Sequence, residues 1–446
     1  MLCVLRNRTY RHLFIAQVIA LVGTGLATVA LGLLAYDIAG ADAGSVLGTA
    51  LAIKMVAYVA IAPVIGAIAD RLPRRALMVG ADLVRAAVAL MLPFVDQVWQ
   101  VYVLIFLLQS ASAAFTPTFQ AVIPDVLPAE RDYTRALSLS RLAYDLESLF
   151  SPALAAVLLS LVTYNWLFLG TVAGFLASAA LVVSAVLPKP VAAAVSRTGG
   201  AYAKATAGTR LFFARPELRA LLVLNLAVAA ASAMVTVNSV VYVRDQFGRG
   251  AADLSLALGA FGGGSMVVAL LLPRLLERVS DRSVMLRGVQ LLTVVFAGLG
   301  VITAAGSGGR RWTALLLAWA AFGAGCSMVL TPAGRLIRRA APPEERTAAF
   351  AAQFSLSHGC WLLTYPLAGW LGAVTGMRSA VAALGSIALV SALLAARLWP
   401  SQAPGPVEHE HNDLHDGHPH LVDAARVQGG WRHRHHHLPD GLHAHR

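Results

Sequence analysis

Long apolar runs, separated by short polar segments, follow one another along the chain as far as position 399. Each run is about twenty residues long, the length that an α-helix needs to cross the hydrocarbon core of a membrane. Twelve such runs can be placed, at about 12–36, 45–69, 76–95, 99–121, 136–161, 165–187, 218–243, 252–276, 284–304, 312–333, 347–372 and 377–399. The pattern therefore predicts an all-α integral membrane protein with twelve transmembrane helices.

Polar segments divide the chain into four parts. Residues 188–217 form a longer polar stretch that separates six apolar runs from six. We therefore assign residues 1–187 to an N-terminal six-helix half, 188–217 to a central cytoplasmic loop and 218–399 to a C-terminal six-helix half. Residues 400–446 never become apolar again. Because such a segment cannot bury a core, we expect it to be disordered without metal.

Composition argues against a soluble enzyme and against a nucleic-acid partner. Of all residues, 58% are hydrophobic and 13% are charged, whereas about 25% are charged in soluble domains. The net charge is +12, but no basic stripe is interleaved with aromatic residues. The chain also lacks the phosphate-binding sequence G-x-x-x-x-G-K-[ST], so we do not expect ATP to drive its activity.

The distribution of arginines sets the predicted orientation. Cytoplasmic loops of membrane proteins carry an excess of Lys and Arg. If the N-terminus is cytoplasmic, the arginines of the outside loops are only Arg244, Arg249, Arg310, Arg311 and Arg378. An even number of spans then places both termini, and the last 47 residues, in the cytoplasm.

The two halves share an internal repeat. At a fixed offset of 215 positions, the joint between the fourth and fifth spans matches the joint between the tenth and eleventh. The matches are Thr116-Pro117 with Thr331-Pro332, Pro128 with Pro343, Glu130 with Glu345, Arg131 with Arg346 and Ser140 with Ser355. This parallel repeat indicates a transporter of two related halves, with a substrate site near mid-membrane between them.

A charged motif joins the second and third spans. It reads Gly66-Ala-Ile-Ala-Asp70-Arg71-Leu-Pro73-Arg74-Arg75 and resembles the signature G-x-x-x-D-R-x-G-R-R of the major facilitator superfamily, with Pro73 in place of glycine. The alternative interpretation is an ordinary positively charged cytoplasmic loop. The resemblance implies a conformational latch between helices, formed by Gly66, Asp70, Arg71, Arg74 and Arg75.

Ionisable residues inside the predicted spans are candidates for ion coupling, because each costs about 2.5–3.5 kcal/mol to insert. The fifth span holds the densest group. There Arg141 and Asp145 are one helical turn apart and can neutralise each other, which leaves Glu147 as the freer carboxylate. We assign proton coupling and translocation to Glu147, Asp145, Arg141, Lys54 and His358.

Some of these polar residues also have a structural interpretation. His358 lies two positions from Cys360 and therefore on a different helix face, so the two residues are a poor chelating pair. A single intramembrane histidine is more often a hydrogen-bonded packing residue than a ligand. In the third span, Asp82 and Arg85 are three positions apart, and we interpret them as a structural ion pair, with a substrate site as the alternative.

The last residues of the chain are rich in histidine. They hold eleven of its thirteen histidines, namely His409, His411, His415, His418, His420, His433, His435, His436, His437, His443 and His445. Neutral imidazole is a ligand for nickel, copper and zinc alike, and the interleaved Asp and Glu add oxygen ligands. Composition therefore favours metal binding by this segment. An appended purification tag and a merely solvated polar tail are the alternatives.

The whole chain, body and tail together, resembles the bacterial nickel-resistance exporters of the NreB type within the major facilitator superfamily. That resemblance implies efflux of nickel, and also cobalt, across the bacterial cytoplasmic (inner) membrane, driven by inward proton flow. It implies a multi-pass protein with divalent metal, Ni, Co or Zn, as substrate and tail ligand. Protons and the lipid bilayer would be the other partners, and we expect a monomer that is not an enzyme and has no prosthetic group.

Two other functions are compatible with the sequence. The joint Ile123-Pro124-Asp125-Val126-Leu127-Pro128 looks like the branch of the superfamily that contains drug and siderophore exporters. An exporter of a small organic compound, with a tail that buffers or senses metal, is therefore the alternative. A membrane-bound metal sensor without transport activity is disfavoured by the latch motif and by the repeat.

Overall fold

The computed structural model describes residues 2–39, 43–68, 72–188, 206–304, 309–399, 407–411, 425–427 and 430–435. The predicted latch residues Asp70 and Arg71 lie outside these residues. The same applies to His415, His418, His420, His436, His437, His443 and His445.

Six long helices form the N-terminal half. They are α1 (Arg8–Ala39), α2 (Ala43–Ile68), α3 (Arg74–Met91), α4 (Val98–Val126), α5 (Glu130–Leu159) and α6 (Tyr164–Ser184). Each coincides with one predicted span, although α4 and α5 extend further towards the joint that connects them. The side chains of Gln97 and Gln100 form a capping box at the start of α4, which satisfies backbone N–H groups there.

The second half repeats this arrangement after a short additional helix. It contains α8 (Pro216–Val241), α9 (Ala251–Leu275), α10 (Asp281–Ala304), α11 (Gly309–Ala340), α12 (Arg346–Val374) and α13 (Met377–Leu398). The additional helix, α7 (Ala207–Ala214), lies in the segment predicted as the central loop and packs against α12. At Gly208 of α7, an added Cβ atom would lie 2.1 Å from the carbonyl oxygen of Ala348, so only glycine permits this approach.

Ten of the twelve long helices are, within the described residues, long and apolar enough to cross a membrane. The other two are α5 and α12, which carry the most informative polar residues of the predicted spans. The structure thus shows a multi-pass helical membrane protein. Twelve spans and two cytoplasmic termini remain predictions.

Among the described residues, four helix pairs make the main contacts between the two halves. Helix α2 packs against α12, α4 against α12, α5 against α9, and α5 against α11. The repeated residues occupy equivalent places: Thr116-Pro117 lies in α4 and Thr331-Pro332 in α11, while Arg131 and Arg346 lie in the first turns of α5 and α12. The described core therefore positions α2, α5 and α12 at the boundary between the halves.

The tail separates from the helical body as a second unit, Trp399–Arg446. Its described residues form a three-stranded antiparallel sheet of β1 (Val407–His411), β2 (Ala425–Val427) and β3 (Gly430–His435), in the order β1-β3-β2. This differs from the expected disorder without metal. Backbone pairing accounts for these strands, whereas the expectation considered only an apolar core.

Candidate functional site

A lysine and a glutamate of the N-terminal half interact electrostatically. Lys54 on α2 and Glu147 on α5 are half-buried and lie within electrostatic reach of each other. The Lys54 Nζ atom is also 5.7 Å from the centre of the Tyr58 ring, one turn along α2. Two of the five predicted coupling residues therefore carry opposite charges within electrostatic reach of each other.

An aromatic cluster lies next to this pair and crosses the boundary between the halves. The Tyr58 ring of α2 lies 4.6 Å from the His358 ring and 4.8 Å from the Phe354 ring, both on α12. The Trp361 ring lies 4.9 Å from His358. The Tyr58 hydroxyl donates a 2.8 Å hydrogen bond to Oε1 of Gln109 on α4. This site therefore combines polar atoms with apolar ring faces.

A hydrogen bond of His358 determines which ring nitrogen carries the proton when the side chain is neutral. Its Nδ1 atom lies 2.7 Å from the carbonyl oxygen of Phe354. Because a carbonyl oxygen only accepts, Nδ1 must carry the proton, and Nε2 of the neutral ring is then an acceptor or a metal ligand. This contact agrees with the packing interpretation of His358 and leaves one nitrogen for a transported proton or cation.

The predicted pair on α5 is present and reaches into the other half. The Arg141 Nη2 atom lies 2.9 Å from Oδ1 of Asp145, in the i, i+4 geometry expected from the sequence. Ser265 of α9 accepts a 3.0 Å hydrogen bond from Arg141 Nε and donates a 2.6 Å bond to Asp145 Oδ2. The pair therefore joins α5 to α9 across the boundary between the halves.

The surroundings of the second predicted pair, on α3, indicate a structural role. Asp82 and Arg85 are buried and form an ion pair, and Ser178 donates a 2.8 Å hydrogen bond to Asp82. The Arg85 guanidinium lies 4.5 Å from the ring centres of Phe115 and Phe175. All of these partners belong to the N-terminal half, so the pair stabilises that half internally.

The described latch residues contact three different elements. Gly66 lies where α2 approaches α12, and an added Cβ atom would lie 3.1 Å from the Cβ of Ala351. Arg74 pairs with Asp125 at the end of α4, at 2.5 Å. Arg75 donates a hydrogen bond to the carbonyl oxygen of Ala185, just beyond α6.

Asp125 is the centre of a three-residue ion cluster, which we call the Asp125 triad. One carboxylate oxygen binds Arg74 of the same half, and the other lies 3.0 Å from Nη1 of Arg346 in the first turn of α12. A basic residue of each half thus shares one acid at the end of α4. The triad therefore links the two halves at this end of α4.

The C-terminal half builds a cluster at the equivalent place with the charges reversed, which we call the Arg335 cluster. Arg335 of α11 lies 3.2 Å from Asp281 in the first turn of α10 and 2.6 Å from Glu130 in the first turn of α5. Arg339 also pairs with Asp281 and with Glu130. Here two bases at the end of α11 hold one acid from each half.

Within the described side chains, no group of three or more His, Cys, Asp or Glu residues is arranged to hold a metal ion. Cys326 and Cys360 are buried in the body. His409, His411, His433 and His435 lie in strands of the tail, where the structure defines the backbone and the register. The structure therefore gives the positions of these four histidines along the strands.

Sequence reasoning missed the partners that come from distant elements. Ser265, Gln109 and Phe354 surround the predicted residues but carry no charge pattern that singles them out. Asp125 and Glu130 were visible in the repeated joint, yet their partners Arg346 and Arg335 lie in the other half. The repeat was the sequence signal from which contacts between these two joints could have been predicted.

The comparisons with known proteins agree with this architecture. The profile of the Major Facilitator Superfamily matches residues 13–309 and 221–435. Macrolide efflux protein A of Enterococcus faecalis is 30% identical over 153 residues, which cover 32% of this chain and 47% of that relative. The protein of the same name from Streptococcus pyogenes is 31% identical over 149 residues, covering 32% and 36%. The matched region thus spans less than half the length of these relatives.

Two solved structures are similar over most of the chain. The human organic anion transporter MFSD10 (TETRAN) has a TM-score of 0.73 at 14% identity, covering 87% of this chain and 99% of that chain. A bacterial homologue of the iron transporter ferroportin, in an outward-facing state, gives the same score, identity and coverage. At this level of identity the likeness shows the fold alone.

Proposed function

Since this chain belongs to the major facilitator superfamily, we propose that it exports a divalent metal cation across the bacterial cytoplasmic membrane. Membership makes the chain a membrane transporter and not an enzyme. The proposed cargo is nickel, and also cobalt, and the proposed driving force is proton antiport. Export of this kind would confer resistance to the metal.

The composition of the tail is the main observation that supports a metal cation as the cargo. Eleven histidines lie within the last 38 residues, interleaved with Asp and Glu, and imidazole is a preferred ligand of nickel and of other borderline divalent cations. A tethered binding segment raises the local concentration of its ligand near the body to which it is attached. The tail would therefore supply metal to a transporter whose inner opening lies on the same side of the membrane.

Alternating access is supported by the contacts between the halves. The Asp125 triad and the Arg335 cluster both pair residues of different halves on the predicted cytoplasmic side. Such ion pairs can separate and form again as one half rocks against the other around a central site. In our proposal, their separation opens the cytoplasmic side to metal.

Proton coupling is supported by the Lys54–Glu147 pair. A carboxylate inside the membrane must be matched by a positive charge or by a proton. Glu147 has a lysine within electrostatic reach, so a proton, Lys54 and an arriving metal cation can compete for it. We propose that Glu147 exchanges these partners during the cycle, with His358 beside them as a second group that accepts a proton.

A second candidate function is export of an organic compound. The aromatic cluster at the boundary between the halves favours it. Tyr58, Phe354, His358 and Trp361 provide ring faces at the boundary between the halves. The Trp361 Nε1 atom is buried and, among the described residues, has no hydrogen-bond partner. Two similar proteins are macrolide efflux proteins. In this case the tail would only bind or sense metal.

Accumulation in cells distinguishes the two cargoes. Cells with and without the protein would be exposed separately to nickel, cobalt, zinc, copper and a macrolide, and the cellular content of each measured. Our proposal expects lower nickel and cobalt content in cells that contain the protein, with the macrolide content unchanged. Lower macrolide content with unchanged metal content would establish the organic exporter.

A further inference from the structure

A small cavity lies beside the Arg335 cluster, between α5 of the N-terminal half and α11 of the C-terminal half. Its volume is about 170 Å³, and its lining residues are Glu130, Tyr133, Arg335, Arg338 and Arg339. Because one water molecule needs only about 10–15 Å³ of such volume, the cavity has room for a small polyatomic ion. Residues of both halves therefore enclose a space that is lined by three guanidinium groups and one carboxylate.

One of these three arginines has no carboxylate to balance its charge. The two acids of the Arg335 cluster balance its two bases, since each acid pairs with both arginines. Among the described residues, no acid forms an ion pair with Arg338, whose Nη2 atom donates a hydrogen bond to the carbonyl oxygen of Pro128 instead. The cavity and the acids around it thus carry an excess of one positive charge.

Two hydrogen-bond donors of the lining residues also lack a partner. The Nη1 atom of Arg338 and the hydroxyl of Tyr133 are buried, and neither makes a hydrogen bond to a described residue. Tyr133 is 0% exposed, and the Arg338 guanidinium lies 5.2 Å from the centre of its ring. Since buried polar groups in folded proteins are nearly always hydrogen-bonded, two such donors beside one cavity indicate that an acceptor binds there.

We infer that this cavity binds a phosphate-type oxyanion, which is either a soluble phosphate or the phosphate group of a lipid. Such an anion supplies several acceptor oxygens for the two free donors, and its negative charge balances Arg338. Guanidinium groups bind phosphate oxygens through charge-assisted hydrogen bonds, which are stronger than those between neutral groups. The same excess of positive charge disfavours a metal cation at this place.

The bound oxyanion would contact both halves of the body. Tyr133 belongs to α5 and Arg338 to α11, so each half supplies one of the two free donors. The anion would therefore add a link between the halves to the ion pairs of the Arg335 cluster. This inference goes beyond the proposed function, because it assigns an anion to the predicted cytoplasmic side and does not depend on the identity of the cargo.

Two single substitutions each remove one donor. Tyr133→Phe deletes only the hydroxyl, and Arg338→Gln deletes the unbalanced charge. The matched control is Arg131→Gln, which removes one positive charge in the first turn of α5, where Arg131 pairs with Glu277 and does not line the cavity. Because a buried hydroxyl without a partner does not stabilise the fold, Tyr133→Phe should be at least as stable as wild type in phosphate-free buffer.

The measurement is the binding of radiolabelled inorganic phosphate to the purified full-length protein, together with thermal unfolding in the presence and absence of phosphate. We expect one bound phosphate per molecule, and a higher unfolding temperature in phosphate than in sodium chloride of equal ionic strength. Tyr133→Phe and Arg338→Gln should each weaken phosphate binding by about tenfold or more, since each removes a hydrogen bond to a charged group. Arg131→Gln should bind phosphate as wild type does.

Absence of phosphate binding to the wild type would overturn the inference. So would an unchanged affinity in Tyr133→Phe, an equal effect of chloride, or an equal loss in the Arg131 control, because binding would then be general attraction between charges. Competition distinguishes the two sources of the anion. Displacement of the labelled phosphate by phosphatidic acid in mixed micelles, and not by glycerol phosphate, would identify a lipid headgroup, and the reverse would identify a soluble phosphate.

Discussion

In our proposal, proton coupling depends on Glu147. We predict that Glu147→Gln abolishes transport driven by a pH gradient while the protein still inserts and folds, because glutamine cannot exchange a proton. Transport in vesicles with and without an imposed gradient is the measurement. Asp253→Asn is the matched control, since Asp253 pairs with Arg249 at the start of α9, away from Lys54. Unchanged gradient dependence in the glutamine variant would move the coupling to Lys54 or His358.

Asp145, two positions away, should respond differently. Asp145→Asn leaves Arg141 without the carboxylate that neutralises it, and loss of one partner of a buried pair costs about 3 kcal/mol or more. We therefore expect mainly a lower thermal stability of the purified protein. Removing both charges with Arg141→Gln and Asp145→Asn should recover part of the loss. A single variant as stable as wild type, but uncoupled, would place the proton at Asp145.

Local spacing predicted the pairs that lie within one helix. Arg141 with Asp145 and Asp82 with Arg85 follow from spacings of four and three along the chain, and both pairs are observed. Nothing in the sequence indicated that Ser265 joins the first pair or that Ser178 joins the second. Those contacts depend on the packing of distant helices, which residue spacing does not encode.

At the scale of elements, the Asp125 triad at the predicted cytoplasmic side leads to a prediction. Asp125→Asn removes the acid that Arg74 and Arg346 share, so the cytoplasmic side should open more often. We expect the equilibrium to shift by about tenfold, which corresponds to about 1.4 kcal/mol. Spin labels at positions 129 and 278, one in each half, would report the opening as a longer distance.

Asp132→Asn is the control for this measurement, because Asp132 pairs with Arg135 three residues along the same helix. It should leave the label distances unchanged. Equal distance distributions in wild type and in the Asp125 variant would show that the triad does not hold the halves together.

Element boundaries were predictable where apolar periodicity was strong. The twelve long helices coincide with the twelve apolar runs, and the polar helix ends of α4, α5 and α11 account for most of the difference in length. Helix α7 was missed because eight residues within a polar loop give no run of membrane length. The tail strands were missed because their alternation involves histidine with glutamate or arginine, and not apolar with polar residues.

At the scale of the whole molecule, we propose that the helical body transports metal and that the tail collects it. We predict that deleting residues 401–446 leaves a folded transporter whose metal export is weakened but not abolished. Because the tail acts through local concentration, the loss should be largest at low metal and should disappear at high metal. Export rates over a range of metal concentrations are the measurement.

The control is the full-length protein at lower pH. Imidazoles with an ordinary pKa of about 6.5 become protonated below about pH 6 and no longer ligate metal. The advantage of the full-length protein over the deletion variant should therefore be present at neutral pH and be lost as the pH falls. A deletion variant that reaches the membrane but exports nothing at any metal concentration would contradict this division of labour.

The whole-molecule architecture was accessible from sequence, but the cargo was not. Apolar runs, arginine distribution and the repeat at offset 215 together indicate two related halves, as the family match supports. The candidate functional site combines Lys54, Glu147, Tyr58 and His358 from three helices. Such a mixture of charged groups and ring faces suits more than one substrate. In our proposal, the composition of the tail is what favours a metal cargo over an organic one.

The most direct test of proton-driven metal export uses purified protein in vesicles with an acidic lumen and nickel added outside. Molecules whose cytoplasmic face is outward should carry nickel into the lumen as protons leave it. We predict nickel uptake that requires the pH gradient, is absent with Glu147→Gln, and occurs without accumulation of a macrolide. Gradient-driven accumulation of the macrolide, with no nickel uptake by the same wild-type vesicles, would contradict the account.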